Sequence, residues 1–159
     1  AVEVCGLCCR FFMSSTGADT CPVCRDVNRD SSRLMVVPRD IDYENIEKTG
    51  VFNGLYFILG GTLPLSESDT EKRVRTQQLT ERLAEPNSPD VSEVIIAMSA
   101  NPEGEHTADA VRAAIAPISR SRGITITTLG RGLSTGTELE YSDDETLKSA
   151  LENRHTASE

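Results

Sequence analysis

Apolar and polar positions change rhythm several times along the chain, and each change marks an element. After Arg33, short apolar runs alternate with longer stretches of helical spacing. Leu34–Val37 is an apolar run suited to a buried strand, and Leu55–Leu59 is a second one, stopped by Gly60 and Gly61. Glu93–Met98 predicts a third strand, and Ile124–Leu129, where Thr and Ile alternate, a fourth. Between these runs, Asp42–Thr49 predicts a brief helix with Asp42 as its N-cap. Asp69–Ala84 carries Val74, Leu79 and Leu83 at helical spacing, with Pro86 beyond its end. Glu105–Ile115 puts Ala108, Val111, Ala114 and Ile115 on one side, and Pro117 disturbs its end. Asp144–Asn153 predicts a closing helix, and the polar tail from His155 to Glu159 is expected to fray.

Strands that alternate with helices imply βαβ units. The predicted class is therefore α/β, a Rossmann-like domain with a mainly parallel four-stranded sheet covered on both faces. In such sheets, functional groups gather in the loops after the carboxyl ends of the strands. Here those loops are Pro38–Asp42, Ser99–His106 and Gly130–Gly136.

Ahead of this domain, Cys5, Cys8, Cys21 and Cys24 read C-x2-C-x12-C-x2-C. Two pairs of thiolates, each held by a tight turn, close a tetrahedron that suits Zn²⁺, one ion per chain. Two disulfides are the alternative, but they leave the fifth cysteine, Cys9, unpaired. Cys9 reads either as a small buried hydrophobe or as a redox-sensing thiol. The sheet has its own core, so it is expected to survive loss of this small zinc finger.

Charge narrows the partners. The 159-residue chain carries a net charge of −9, and its first 33 residues hold four Arg and four acids, so all the net charge follows Arg33. An acidic body is not an autonomous binder of phosphate backbones. Any DNA contact is expected from Arg10, Arg25, Arg29 and Arg33 around the finger. No apolar run reaches the length of a membrane span, and no signal-like region opens the chain, which reads as cytoplasmic. A start at Ala1, close to a zinc ligand, fits a piece of a longer protein.

The acids have three competing readings. Asp40 and Asp42 follow the first strand, and Glu103 and Glu105 follow the third. Together they can hold Mg²⁺, present a negative patch to a basic partner, or simply stabilise helix starts. His106 reads as a solvated helix residue, His155 has no role, and no Ser/His/Asp or Cys/His grouping is visible. The glycines Gly130, Gly132 and Gly136 lack the spacing and the lysine of a phosphate-binding loop.

The ordered motifs resemble the bacterial RecR family of recombination mediators. They run from the knuckles Cys5–Asp26 through VVPRDIDYENIEKTG (Val36–Gly50) and FNGLYFILGG (Phe52–Gly61). They continue through EVIIAMSANPEGEHTA (Glu93–Ala108) to GRGLSTGTELEYSDDETLKSALENR (Gly130–Arg154). The resemblance implies a zinc finger over 1–30, a Toprim domain over 31–130, and a C-terminal loop, helix and polar tail over 131–159. It implies DNA repair through the RecF pathway, with recombinase loaded at single-stranded gaps. The implied partners are DNA, RecO, RecF and further copies of the chain, in a bacterial, nucleoid-associated setting and without an enzymatic step. Cys5, Cys8, Cys21 and Cys24 match the family's zinc ligands, Glu103 and Glu105 its E-G-E acids, and Asp42 and Glu47 its acids after the first strand. Two departures stand out: Pro38 replaces an expected Glu, and the family's basic helix-hairpin-helix region has no counterpart here, so DNA binding by this chain is expected to be weak. The competing classes are a Mg²⁺-dependent Toprim nuclease or primase-like enzyme, and a zinc-ribbon interaction module with no DNA role.

Overall fold

The structure, a computed structural model, describes residues 2–14, 17–65, 74–84, 86–129, 151–152 and 154–156. The expected helix Asp144–Asn153 lies outside the described residues except at Leu151 and Glu152, and the Gly130–Gly136 loop lies wholly outside them.

An antiparallel ribbon of β1 (Val2–Val4) and β2 (Phe11–Met13) opens the chain, with Val2 opposite Met13 and Val4 opposite Phe11. A single turn of helix, α1 (Pro22–Arg25), follows. The body then runs β3 (Asp30–Val37), α2 (Asp40–Glu47), β4 (Gly54–Ile58), α3 (Thr76–Arg82), β5 (Glu93–Ile96), α4 (Pro102–Arg122), β6 (Thr125–Thr128) and β7 (His155–Thr156). The sheet order is β4-β3-β5-β6-β7. Four strands are parallel, as the alternation predicts, with Val36 of β3 beside both Phe57 and Ile96. The fifth, β7, pairs antiparallel with β6, so the tail at His155 joins the sheet instead of fraying.

Side-chain alternation along β3 and β5 divides the core between the two faces of the sheet. Leu34, Val36, Val94 and Ile96 pack with Leu79 of α3, Leu83 at its C-cap, and Val111 and Ile115 of α4. Met35, Val37 and Ile95 face Tyr43 and Ile46 of α2, together with Leu151. These side chains are essentially inaccessible, so truncating any one to Ala costs about 2–5 kcal/mol.

Several boundaries differ from the sequence reading. Helix α3 begins at Thr76; Val74 and Arg75 precede it, and 66–73 are outside the described residues. Helix α4 runs through Pro117 to Arg122, past the predicted end at Ile115. Pro117 and Ala113, whose carbonyl loses its helical donor, both lie on the exposed side, where solvent meets the need. Gly123, at a left-handed φ of 69°, then ends the helix. Asp42 is not the N-cap of α2: Arg39 is, and Asp42 in the first turn accepts the Arg39 backbone N–H at 3.1 Å.

The small cysteine-bearing unit is not a free module. The Cys8 carbonyl accepts the Ile58 N–H at 2.7 Å, so the first knuckle lines the outer edge of β4. Arg82, buried on α3, donates from Nη1 to the Leu7 carbonyl at 2.6 Å. The Phe11 N–H reaches Asp40 Oδ1 on α2 at 3.0 Å. The sheet has its own two-sided core, separate from the cysteine cluster, and these three hydrogen bonds fasten the finger to β4, α3 and α2.

Candidate metal centre

Local backbone chemistry aims the four sulfurs. In the first knuckle the Cys9 N–H returns to the Cys5 carbonyl at 3.0 Å, and the Cys5 N–H reaches the Arg10 carbonyl at 2.8 Å. Cys9 turns the chain at a φ of 65°, a left-handed conformation unusual for a side-chain-bearing residue. In the second knuckle Cys21 precedes α1, Pro22 fixes the helix start, and the Arg25 N–H returns to the Cys21 carbonyl at 3.2 Å, which places Cys24 on the inner side.

The four Sγ atoms lie within 4.8 Å of one another. Cys5 and Cys24 are separated by 3.8 Å between sulfurs, and Cys8 and Cys21 by 3.7 Å. A tetrahedron with metal–sulfur bonds of about 2.3 Å has edges of about 3.8 Å, so the donor set fits a metal such as zinc. All five cysteines are free thiols. Three backbone N–H groups, of Leu7, Cys8 and Cys21, point at Cys5 Sγ from 3.3–3.5 Å.

Protonation separates within the cluster. Interaction with Cys21 and Cys24 pulls the Cys5 thiol far down, and interaction with Cys24 draws Cys21 down to about 5. Cys8 and Cys24 are pushed up, in each case mainly by Cys21. Four crowded sulfurs cannot all shed their protons unless a cation compensates them, and a bound divalent metal does that. Burial pushes the Cys9 thiol up as well, which suits a packed small hydrophobe more than a reactive thiolate.

The acidic loops follow the adjacent parallel strands β3 and β5 at the carboxyl edge of the sheet. Among the described residues, the four cysteines are the one group of three or more potential ligands within reach of a common ion. Asp40 is committed to the Phe11 N–H and Asp42 to the Arg39 N–H. Asp42 is also only 4% exposed, which removes it from the expected partner-facing surface. Glu103 accepts the Thr62 hydroxyl, while Glu105 is exposed in the first turn of α4. Pro38, standing where an acid was expected, is buried, and its carbonyl takes the N–H groups of Gly60 at 2.9 Å and Gly61 at 2.7 Å. Gly104, between the two glutamates, has a structural cause: a Cβ there would lie 2.0 Å from the Ser99 carbonyl oxygen.

The four arginines separate just as clearly. Arg29 forms two hydrogen bonds with Glu47, at 2.7 and 3.0 Å, and a third with the Gly54 carbonyl. Arg33 pairs with Asp30, reaches Asn53 and stacks on Phe52. Arg10 lies over the Tyr43 ring. Arg25 stands exposed at the end of α1. Three of the four expected DNA contacts are thus engaged within the chain. Sequence reasoning missed Arg82 and Tyr43 as supports of the knuckle. Neither carries a local signal, since each meets its partner only through the fold.

An α/β domain on four parallel strands, with acidic loops at their carboxyl edge, joined to a cluster of four cysteines that could hold a metal, defines a Toprim-type protein with a small cysteine-bearing attachment. Comparison with known families agrees. The Toprim domain family matches residues 32–129, and the family described as "RecR, C-terminal" matches residues 132–155. Recombination protein RecR of Dehalococcoides mccartyi is 38% identical over 146 residues, covering 92% of this chain and 68% of that protein. The Roseiflexus protein of the same name is 41% identical over 149 residues, covering 93% and 68%. That of Lactobacillus johnsonii is 36% identical over 146 residues, covering 92% and 70%. The chain belongs to the RecR family of recombination proteins, and it spans about two thirds of the length of these relatives.

Proposed function

We propose that this chain acts as a mediator of recombinational DNA repair in the RecF pathway, helping to load recombinase at single-stranded gaps without itself catalysing a reaction. Family membership supports the repair role. The observation that carries the non-catalytic reading is the engagement of the Toprim edge. A proline carbonyl capped by two glycine amides stands at one expected acid, and Asp40, Asp42 and Glu103 are all held by donors of the chain itself.

One Zn²⁺ per chain, on Cys5, Cys8, Cys21 and Cys24, is supported by the sulfur–sulfur spacing. Bound there it neutralises four thiolates and fixes the two knuckles; it supplies no reactive position, because four protein ligands close the coordination shell. The working units are a finger over 1–30, a Toprim body over 31–130 and a C-terminal segment over 131–159. The setting is cytoplasmic and nucleoid-associated, with RecO, RecF and further copies of the chain as partners. DNA contact is weak and leans on Arg25.

The exposed acids Glu103 and Glu105 are the docking surface for a basic partner, RecO. Exposed opposite charges mainly accelerate encounter and make it salt-sensitive. Replacing Glu103→Lys and Glu105→Lys together is expected to slow association with RecO by about tenfold at low salt, with thermal stability little changed. Unaltered association removes the docking role. A nuclease assay with Mg²⁺ or Mn²⁺ on single- and double-stranded DNA tests the rest of the reading: cleavage lost in Glu103→Ala establishes an enzyme instead.

A further inference from the structure

Arg82, in the last turn of α3, is only 4% exposed. A cation taken out of water needs an anion or well-placed acceptors around it. Among the described residues, no carboxylate pairs with this one. Its guanidinium meets two neutral oxygens instead. Nε donates to Ser88 Oγ at 3.1 Å, and the buried Ser88 hydroxyl donates back to the Arg82 carbonyl at 2.6 Å. That closed pair of bonds fixes the direction of the guanidinium, and Nη1 then reaches the Leu7 carbonyl at 2.6 Å.

The Leu7 carbonyl is one end of the peptide unit that joins Leu7 to Cys8. The other end is the Cys8 N–H, which points at Cys5 Sγ from 3.5 Å. A buried cation therefore stands at the oxygen end of this peptide, and a sulfur of the four-cysteine cluster at its hydrogen end. Linked hydrogen bonds polarise one another, so a cation on the carbonyl makes the N–H a stronger donor. The cluster has use for such a donor. Four thiolates on a divalent metal leave a net charge of about −2. Cys5, Cys8 and Cys21 are each at most 2% exposed, so solvent does little to spread that charge. The N–H groups of Leu7 and Cys21 also point at Cys5 Sγ, from 3.4 and 3.3 Å. They belong to the Gly6–Leu7 and Thr20–Cys21 peptides, and Arg82 bonds to neither carbonyl.

We propose that Arg82 is a positioning residue of the metal centre: through the Leu7 carbonyl it orients and polarises the peptide whose N–H serves Cys5 Sγ, and so slows loss of the metal. This rests on the zinc reading above. Arginine suits the place because its planar fork holds Ser88 and Leu7 at once and its charge persists at every relevant pH. Helix α3 thereby acts on a ligand that none of its own side chains touches.

The test uses the full 159-residue chain loaded with zinc. Zinc content is measured first, then the rate of zinc transfer to a chromogenic chelator, for the native chain and for Arg82→Met, Arg82→Lys, Ser88→Ala and Ile126→Ala. Loss of a group that supports a metal ligand typically costs 10–100-fold, so release from Arg82→Met should be about tenfold faster. Lysine keeps the charge and should release more slowly than methionine. Ser88→Ala frees the Nε anchor and should fall between the native chain and Arg82→Met. Ile126→Ala opens a cavity on β6, which β3 and β5 separate from β4, and should release at the native rate. A native chain without zinc sinks the metal reading itself. A zinc-loaded native chain whose Arg82→Met variant releases no faster than Ile126→Ala overturns the Arg82 inference alone. If Arg82→Met fails to fold, native release rates in both Arg82→Lys and Ser88→Ala overturn it. Amide proton shifts of the zinc-loaded chain separate polarisation from simple clasping. The Cys8 amide proton should move upfield in Arg82→Met, or in Ser88→Ala to a lesser degree, while those of Leu7 and Cys21 stay close to native. Equal shifts at all three, or none at Cys8, mark Arg82 as a clasp between α3 and the knuckle and overturn the inference.

Discussion

The amide of Ile58 donates to the carbonyl of Cys8 at 2.7 Å, and through that bond the first cysteine knuckle covers the end of the edge strand β4. An edge strand otherwise presents unpaired backbone groups. Metal binding at the knuckles is therefore expected to support this edge of the sheet as well as the finger itself.

Cys21→Ser should show that support. Loss of the metal frees the first knuckle, and Ile58, at 1% exposure, then holds a buried amide without its acceptor. An unsatisfied buried group costs about 1–3 kcal/mol. At this chain length that corresponds to a fall of roughly 2–12 °C in Tm. Hydrogen exchange should speed up at the Ile58 amide as well as within the finger. Native protection at Ile58 in a metal-free variant means that the finger and sheet are uncoupled.

Cys9→Ala should leave zinc content at one equivalent, whereas Cys24→Ser should abolish tight binding. Cys9 lies outside the four-sulfur group and packs against the cores on both faces of the sheet. Metal analysis of the two purified, reduced variants distinguishes ligand from neighbour, and a zinc-free Cys9→Ala would place Cys9 in the coordination shell.

Gly104→Ala sets two effects against each other. Alanine favours a helix over glycine by about 1 kcal/mol. The added Cβ meets a backbone carbonyl at 2.0 Å, which no rotamer can avoid, and overpacking of this kind costs about 1–3 kcal/mol or more. The clash should win, and the urea midpoint should fall. A stabilised variant would show that the Asn101–Glu105 turn yields easily.

Glu47→Ala tests the assignment of Arg29 as structural. Arg29 and Glu47 are 12% and 30% exposed, and Glu47 also accepts the Tyr56 hydroxyl at 3.0 Å. Breaking a buried pair costs about 3–5 kcal/mol, and partial exposure lowers the expectation to about 2 kcal/mol by urea denaturation. Arg29→Met should be destabilised similarly, with an unchanged salt slope for single-stranded DNA. A shallower slope would return Arg29 to the DNA interface.

The pair Glu93–Arg154 should make the C-terminal strand sensitive to acid. Burial raises the Glu93 pKa, but hydrogen bonds from Arg154 and Thr127 outweigh it and leave the carboxyl below its ordinary value. A depressed folded pKa contributes stability above the unfolded value, about 4.3, and that contribution disappears as pH falls through the folded pKa. Hydrogen exchange in β7 should therefore accelerate below about pH 4 in the native chain, with much less additional change in Glu93→Gln. Identical acid profiles for the two proteins would remove Glu93 as the cause.

The metal knuckles and the four parallel strands were legible because their signals are local. Two residues between cysteines set one turn, and apolar runs such as Leu34–Val37 and Glu93–Ile96 are too short for a buried helix and rich in β-branched residues, which marks them as strands. Boundaries were less legible for stated reasons. An acid suits both the N-cap and the first turn, so Asp42 was misplaced by one role. Proline is excluded from helix interiors only on average, and Pro117 is tolerated because it lies on the exposed side of α4.

Sequence by itself determined which residues can bind metal, which segments form the sheet and which family the motifs resemble. Tertiary structure alone decided what each charged group meets. Arg29 finds Glu47, Arg82 finds Leu7, Asp40 finds Phe11 and Arg154 finds Glu93, and each partner is remote in sequence. A charge exposed on a local helix or loop is indistinguishable, one residue at a time, from a charge about to be buried against a distant element. Folding brings the partners together and desolvates them, and that step turned candidate DNA contacts and metal-ligand acids into the fastenings of the domain.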